Sequence, residues 1–408
     1  MMDRRNVLKM AGGFVIGLHA SDPLAPVLSW DFEAGSLVKV ETIGTDRFRC
    51  HVKGQTDQDG RNRQASWYYF RVDGAKGRTL TFEMVDLAGE YNYRPNSGSI
   101  TRGTLPFFSI DRRTWIPIDK GEYDERGPSL RYQVRVPSSR IWIAHVPPYT
   151  TADFRKFSGE LARSRSAGIE TIGRSVEGRT IPLITITDQS APSQNKKVIW
   201  LMFRQHAWEA GSSWTGEGLM RFAVSDDPRA QEIRRAAVLK ILPLNDPDGV
   251  ANGTVRFNRY GYDLNRNWDV VEPEKMPEIT AERQAIVSWV NAGHPVDFFL
   301  TLHNDEDNEY LAGPPDSQWL PLLHRVWNAW AAGTTVAPTE DARLTEATTT
   351  EGKPGRMNVV QGLSRDLRLP AFEIEMRITK HPKLGHRPNV EDRLLAGKEL
   401  LLAIWKGL

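Results

Sequence analysis

Cysteine is almost missing from this 408-residue chain, where Cys50 stands alone. That excludes an intramolecular disulfide, and any metal site must be built from histidine and carboxylate rather than thiolate. Long apolar runs are missing too: no stretch reaches the roughly 18 residues that would mark a bilayer-spanning helix. Neither sign of charge is in excess, with 53 Lys and Arg against 51 Asp and Glu and a net charge of +2. No Lys/Arg block stands out, so nucleic acid is not an expected partner. There is no internal repeat and no low-complexity segment. The 40% hydrophobic content is that of an ordinary globular protein. A chain of this length is expected to form two domains rather than one.

Three textures divide it. Residues 1–27 open with "MMDRRNVLKMAGGFVIGLHASDP", where Arg4-Arg5 precede a short apolar run containing glycine and Ala20 offers a cleavage point. This resembles a twin-arginine export signal, which implies a periplasmic protein. A basic N-terminal arm on a cytoplasmic protein is the alternative. From 28 to 150, short alternating runs such as "SWYYFRVDG", "RTLTFEMVDL" and "RYQVRVPSS" are separated by Gly, Asp and Pro clusters, the pattern of an all-β antiparallel sandwich. From 151 to 408, strand-like runs ("PLITITD", "KKVIWLMF", "AVLKILPLN", "VDFFLTLHN", "PAFEIEMRI") alternate with helical segments. That alternation predicts an α/β domain with helices on both faces of the sheet.

Ligand groups collect where buried strands end, and the strand ends here carry distinctive residues. "KKVIWLMF" runs into "RQHAWE", which holds His206 and Glu209. "FFLTLHNDEDNEY" puts His303 at the end of another strand. "PAFEIEMRI" carries Glu373 and Glu375, two apart and so on one face. Between them lies "NDPDGVANGTVRFNRYGYDLNRNWD", with Arg256, Arg259 and Arg266. Imidazole and carboxylate are good zinc ligands, and two His plus one Glu leave a coordination position open, as catalytic zinc requires. A His three residues before a Glu is weak evidence by itself. His303 and Glu306 repeat it, although "NDEDNE" reads as a solvated acidic loop.

Taken in order, "IGRSVEGRTIPLITI", "HAWE", "DPDG…GYDLNRNWD", "LTLHND" and "FEIEMR" resemble the motifs of the M14 zinc carboxypeptidases, in their cytosolic-carboxypeptidase-like branch. "WYYFRV" and "VPPYTTADF" are similar to the domain that branch carries in front of the peptidase. The resemblance implies a mixed-sheet α/β/α carboxypeptidase domain and one Zn²⁺ per chain, held by His206, Glu209 and His303. It implies Glu375 as general base acting on zinc-activated water, and Arg256 as the oxyanion arginine. Asn265 and Arg266 would hold the substrate's terminal carboxylate, and Asp263 would orient a ligand histidine. The implied substrate is the C-terminal tail of a peptide or protein, with no nucleic acid partner and no stable membrane insertion.

Alternatives stand beside these assignments. Glu373 shares a face with Glu375 and competes for the role of base. A zinc amidase of small N-acyl amino acids, or a non-catalytic binding protein on the same fold, are the rival functions. Lys353, Arg356 and Arg365 could form a basic pocket for an acidic C-terminal residue, while the acidic loop 305–309 argues the other way. His51, His145, His324, His381 and His386 read as structural, Arg259 as a surface residue and Asp246 as structural. No Tyr follows Tyr310, so the tyrosine that closes over the substrate in many relatives has no evident counterpart.

Overall fold

The computed structural model describes residues 25–96, 98–314, 317–344 and 354–408. All but the last residues of the expected export signal, and Lys353, lie outside the described residues. No helix among the described residues is long and apolar enough to cross a membrane.

The N-terminal part is a sandwich of two five-stranded sheets. In Thr79–Val85 and Ser129–Arg135 buried and more exposed residues alternate along the strand, as happens when one face packs and the other meets water. Leu80, Phe82 and Met84 thus meet Phe70, Val72 and Ile143 of the facing sheet in one core, with Phe70 and Phe82 ring centroids 5.5 Å apart. One pair departs from the expected antiparallel order: Arg47–His51 runs parallel to Thr79–Val85. The chain between them crosses to the other sheet through Tyr69–Asp73, and such a crossover lets a strand return in the same direction. A small four-stranded sheet, Gln55–Thr56, Arg63–Gln64, Gly89–Tyr91 and Arg94–Asn96, projects from this sandwich.

The C-terminal part is built on an eight-stranded mixed sheet. Its centre is four parallel strands in the order Ala237–Leu242, Lys197–Phe203, Phe298–Asp305, Ala371–Arg377. Lys197–Phe203 looks continuously apolar because both its faces are covered. Ile199, Leu201 and Phe203 pack with the helices Ala210–Ala223 and Val390–Gly407. Val198, Trp200 and Met202 pack with Pro277–Asn291 and Val359–Leu367. The expected helices on both faces are therefore present.

The two parts share a third core. Trp67, Tyr69, Phe107 and Trp115 of the sandwich are buried together with Trp208, Val255, Ile378 and Val390. Beside it Ala34 N–H donates to the Ala251 carbonyl at 3.0 Å. Gly253 has φ +61°, and a Cβ there would lie 2.6 Å from the Gly35 carbonyl oxygen, so the two backbones touch.

Candidate metal centre

The strand Lys197–Phe203 ends in a forced turn. Arg204 has φ +62°, a left-handed conformation uncommon for a residue with a side chain. Its surroundings hold it there. The buried guanidinium donates to the Ala207 carbonyl at 2.9 Å and to Ser213 Oγ at 3.0 Å, and the backbone N–H donates to Ser212 Oγ at 3.2 Å. Burial lowers the Arg204 pKa to about 10, partly offset by Glu209 and Asp246. The turn leaves His206 and Glu209 buried at the strand's C-terminal edge, with the helix Ala210–Ala223 starting directly after Glu209.

His206, Glu209 and His303 come together there, with one ligand atom from each within 4.8 Å of the others. Glu209 lies between the imidazoles: Oε1 is 2.6 Å from His206 Nδ1 and Oε2 is 3.0 Å from His303 Nδ1. The far ring nitrogens are held by other partners. His206 Nε2 lies 3.1 Å from Asp263 Oδ1. His303 Nε2 lies 3.1 Å from Gln205 Oε1, and Gln205 is oriented by donating its own amide to the Leu264 carbonyl at 2.8 Å. Glu209, Asp263 and the Gln205 amide oxygen all accept, so positive charge must lie between Glu209 and the rings: either a proton on both nitrogens of a ring, or a bound cation on the Nδ1 side. The donor set and its outer partners therefore fit a metal ion, in the arrangement by which buried groups fix a ligand histidine's tautomer. Burial opposes ionisation of Glu209, but the two imidazoles hold its pKa down at about 2.

Glu375 is the next residue along this face. It lies opposite His303 in the register of Phe298–Asp305 with Ala371–Arg377, and laterally paired residues point to the same side of a sheet. Its Oε2 is buried with no hydrogen-bond partner. Burial first, and then the negative charges of Glu209, Glu373 and Asp305, push its pKa well up, against the pull of Arg256. Glu373 is placed differently. Its Oε2 accepts from Asn265 Nδ2 at 2.8 Å and from Asn358 Nδ2 at 3.4 Å.

Arg256 is tied to the same centre. Its Nε donates to Asp263 Oδ2 at 2.7 Å, while Asp263 Oδ1 faces His206. Burial alone would raise the Asp263 pKa, but Arg256, His206 and Arg266 hold it well below the usual carboxylate range. Asn265 Oδ1 accepts from Val359 N–H at 3.1 Å, and Arg266 Nη1 donates to the Asn265 carbonyl at 2.7 Å. Arg266 lines a cavity of about 140 Å³ with Asp263 and Arg356 on one side and Asp57, Asp59 and Tyr91 of the sandwich on the other.

Residues 28–145 match the profile of the cytosolic carboxypeptidase N-terminal domain, and residues 160–309 that of the zinc carboxypeptidases. The chain thus carries a zinc carboxypeptidase domain of the M14 type behind a cytosolic carboxypeptidase N-terminal domain. Among its relatives is the cytosolic carboxypeptidase 2 of Macaca fascicularis, 31% identical over 280 residues, covering 62% of this chain and 32% of that one. Cytosolic carboxypeptidase 6 of Mus musculus is 27% identical over 303 residues, covering 70% and 54%. The matched region thus spans about a third of the first relative's length and about half of the second's. Crystal structures of metallo-carboxypeptidases share the fold. That from Burkholderia cenocepacia superposes with TM-score 0.79 at 23% identity, covering 93% of this chain and 98% of its own. That from Pseudomonas aeruginosa, in complex with (2-guanidinoethylmercapto)succinic acid, gives TM-score 0.76 at 23% identity, covering 93% and 98%.

Around this centre, other expected features fall in different places. The loop 305–309 is not uniformly solvated. Asp307 and Asn308 are exposed, but Glu309 is buried, accepting from Ala337 N–H at 2.7 Å and lying 3.3 Å from His381 Nε2. Glu306 is half-buried, and desolvation plus Asp305 and Asp307 raise its pKa to about 7. Arg365 pairs with Asp366 at 2.6 Å, so of the three suggested basic residues only Arg356 is seen on the cavity wall. Asp246 caps the helix Pro247–Asn252 by accepting from Gly249 N–H, and Arg259 is exposed. Tyr310 sits across from Glu375 on its other side, with the Arg343 guanidinium 4.4 Å over its ring. Gln205 and Arg204 went unread in the sequence; their only signal there was their place just before His206.

Proposed function

We propose that this protein is a zinc-dependent carboxypeptidase that hydrolyses the last peptide bond of a peptide or protein tail. The observation carrying this is the convergence of two buried imidazole Nδ1 atoms on Glu209, with one ligand atom of each residue within 4.8 Å of the others, and Glu375 beside His303 in the sheet register. His206, Glu209 and His303 would hold one zinc per chain. Zinc bound there supplies Lewis acidity, polarising the scissile carbonyl and making water a competent nucleophile near neutral pH. Glu375 takes the attacking water's proton and returns it to the leaving amine. Its Oε2, without a fixed hydrogen-bond partner, is free for both transfers. Arg256, kept charged and aimed by Asp263, stabilises the negative charge that develops on the carbonyl oxygen. Asn265 and Arg266 receive the terminal carboxylate. Asn265 already donates to Glu373, so Arg266 carries the larger share. The division of labour we propose is a sandwich over 28–150 and a peptidase over 151–408.

Incubating the zinc-loaded protein with peptides of varied C-terminal residue, and following single-residue loss by mass spectrometry, tests the reading. Peptides with amidated C-termini should resist. Turnover of small N-acyl amino acids with intact peptides untouched would replace this reading with the amidase one. Arg266→Ala should raise KM roughly 10–100-fold with little change in kcat, since a charge-assisted hydrogen bond contributes about 1.5–3 kcal/mol. A fall in kcat with KM unmoved would place Arg266 elsewhere in the mechanism. For location, we propose export through residues 1–27. Arg4→Lys with Arg5→Lys should trap the protein in the cytoplasm, and a parent protein found only there would refute export.

A further inference from the structure

The oxyanion arginine sits on a loop, and loops are poor places for precise chemistry unless something outside fixes them. Here the fixing group comes from the small four-stranded sheet of the N-terminal part. Gln55, on the short strand Gln55–Thr56, reaches across to the loop that carries Arg256. Its Oε1 accepts three consecutive backbone N–H groups, those of Val255 at 3.1 Å, Arg256 at 2.7 Å and Phe257 at 2.9 Å. Its Nε2 donates to the Phe257 carbonyl at 2.6 Å. Three successive N–H groups aimed at one oxygen form a concave nest of positive potential. One side chain fills it and, with its other atom, pins the next carbonyl.

A second contact supports the first. Gln58 N–H donates to the Gly261 carbonyl at 3.1 Å. Gly261 has φ +87°, and a Cβ on it would lie 2.7 Å from Gln58 N. The sandwich hairpin therefore lies flush on both limbs of the arginine loop, whose own limbs are bridged at Phe257 and Asp263. From Gln55 the chain of contacts runs through the Arg256 backbone to its guanidinium, then to Asp263 and His206.

We infer that Gln55 is a positioning residue for catalysis, and that the N-terminal sandwich acts on the reaction by holding Arg256 in place. This rests on the role given to Arg256 above. Gln55 touches no reacting atom, so its loss should slow the chemical step and leave substrate and metal binding alone. A displacement of about 1 Å at a group acting in the transition state costs on the order of 10²-fold.

The test uses the full chain. Gln55→Leu keeps the bulk but not the hydrogen bonds, and Gln55→Glu keeps an accepting oxygen for the nest. The expected order of kcat is parent, then Gln55→Glu, then Gln55→Leu about 10²-fold down, with KM and zinc content unchanged. In an Arg256→Ala background Gln55→Leu should cost almost nothing more, because residues acting through one group are not additive. Amide hydrogen exchange at Val255, Arg256 and Phe257 should speed up in Gln55→Leu whatever the activity. Parent-like kcat in Gln55→Leu, or a full further loss on top of Arg256→Ala, would overturn the inference. If Arg256→Ala itself matched the parent, the role of Arg256 would be wrong. The exchange experiment would still report whether Gln55 holds the loop. Should Gln55→Leu not fold, Gln55→Glu in the two backgrounds decides between the same outcomes.

Discussion

Glu375→Gln should leave a protein that folds, holds its metal and binds substrate, yet turns over about 10²–10⁴ times more slowly, the usual loss of a positioned general base. Glutamine keeps the shape and removes the proton acceptor. KM and zinc content should hardly move, because the lost interaction belongs to the transition state. Glu373→Gln is the control. Its carboxylate accepts from Asn265 and Asn358 and faces neither imidazole at hydrogen-bond distance, so its loss should be mild. Steady-state kinetics on both variants, with metal analysis, checks this. An inactive Glu373→Gln beside an active Glu375→Gln would mean that the base is the other carboxylate. Two active variants would dismantle the carboxypeptidase mechanism.

The second large effect is on the metal. The parent should bind one zinc per chain, and His206→Ala or His303→Ala should bring the bound zinc close to zero after dialysis. Each variant removes one of only three groups, all buried and without an evident substitute among the described residues. Asp263→Asn should be gentler, at about 10–100-fold in affinity, the range seen when a group orienting a ligand is changed. Metal analysis and the rise in Tm on adding zinc, which only a binding-competent fold can show, both read this out. Full occupancy in both histidine variants would mean that the ligands were wrongly chosen.

Much of this centre is legible in the sequence because its parts sit at strand ends, where an apolar run stops and polar residues begin. Lys197–Phe203 and Phe298–Asp305 announce themselves that way, and with them His206 and His303. Period two puts Glu373 and Glu375 on one face but cannot say which is nearer the histidines. Only the lateral register with Phe298–Asp305, a long-range pairing, sets Glu375 beside His303. The same limit hid Gln205 and Gln55. Gln55 lies some two hundred positions from its partners, and nothing about a polar residue in a short strand signals that distance. The acidic loop misled for a related reason. A cluster of carboxylates reads as solvated until the fold supplies His381 and the Ala337 N–H to bury Glu309 against.

The tryptophan-lined seam between the two parts bears on how the cleft can move. Neighbouring domains of one chain swing against each other by default, and a large apolar interface is what prevents it. Swinging the sandwich away here would bring Trp67, Trp115 and Trp208 into water and pull the Ala34–Ala251 backbone contact apart. Hinge opening, common among two-domain enzymes, would therefore expose apolar surface here and is opposed by this seam. Among the described residues of the cavity wall, Tyr91 from the N-terminal part and Arg356 from the C-terminal part are side chains placed to adjust to what enters while that seam stays shut.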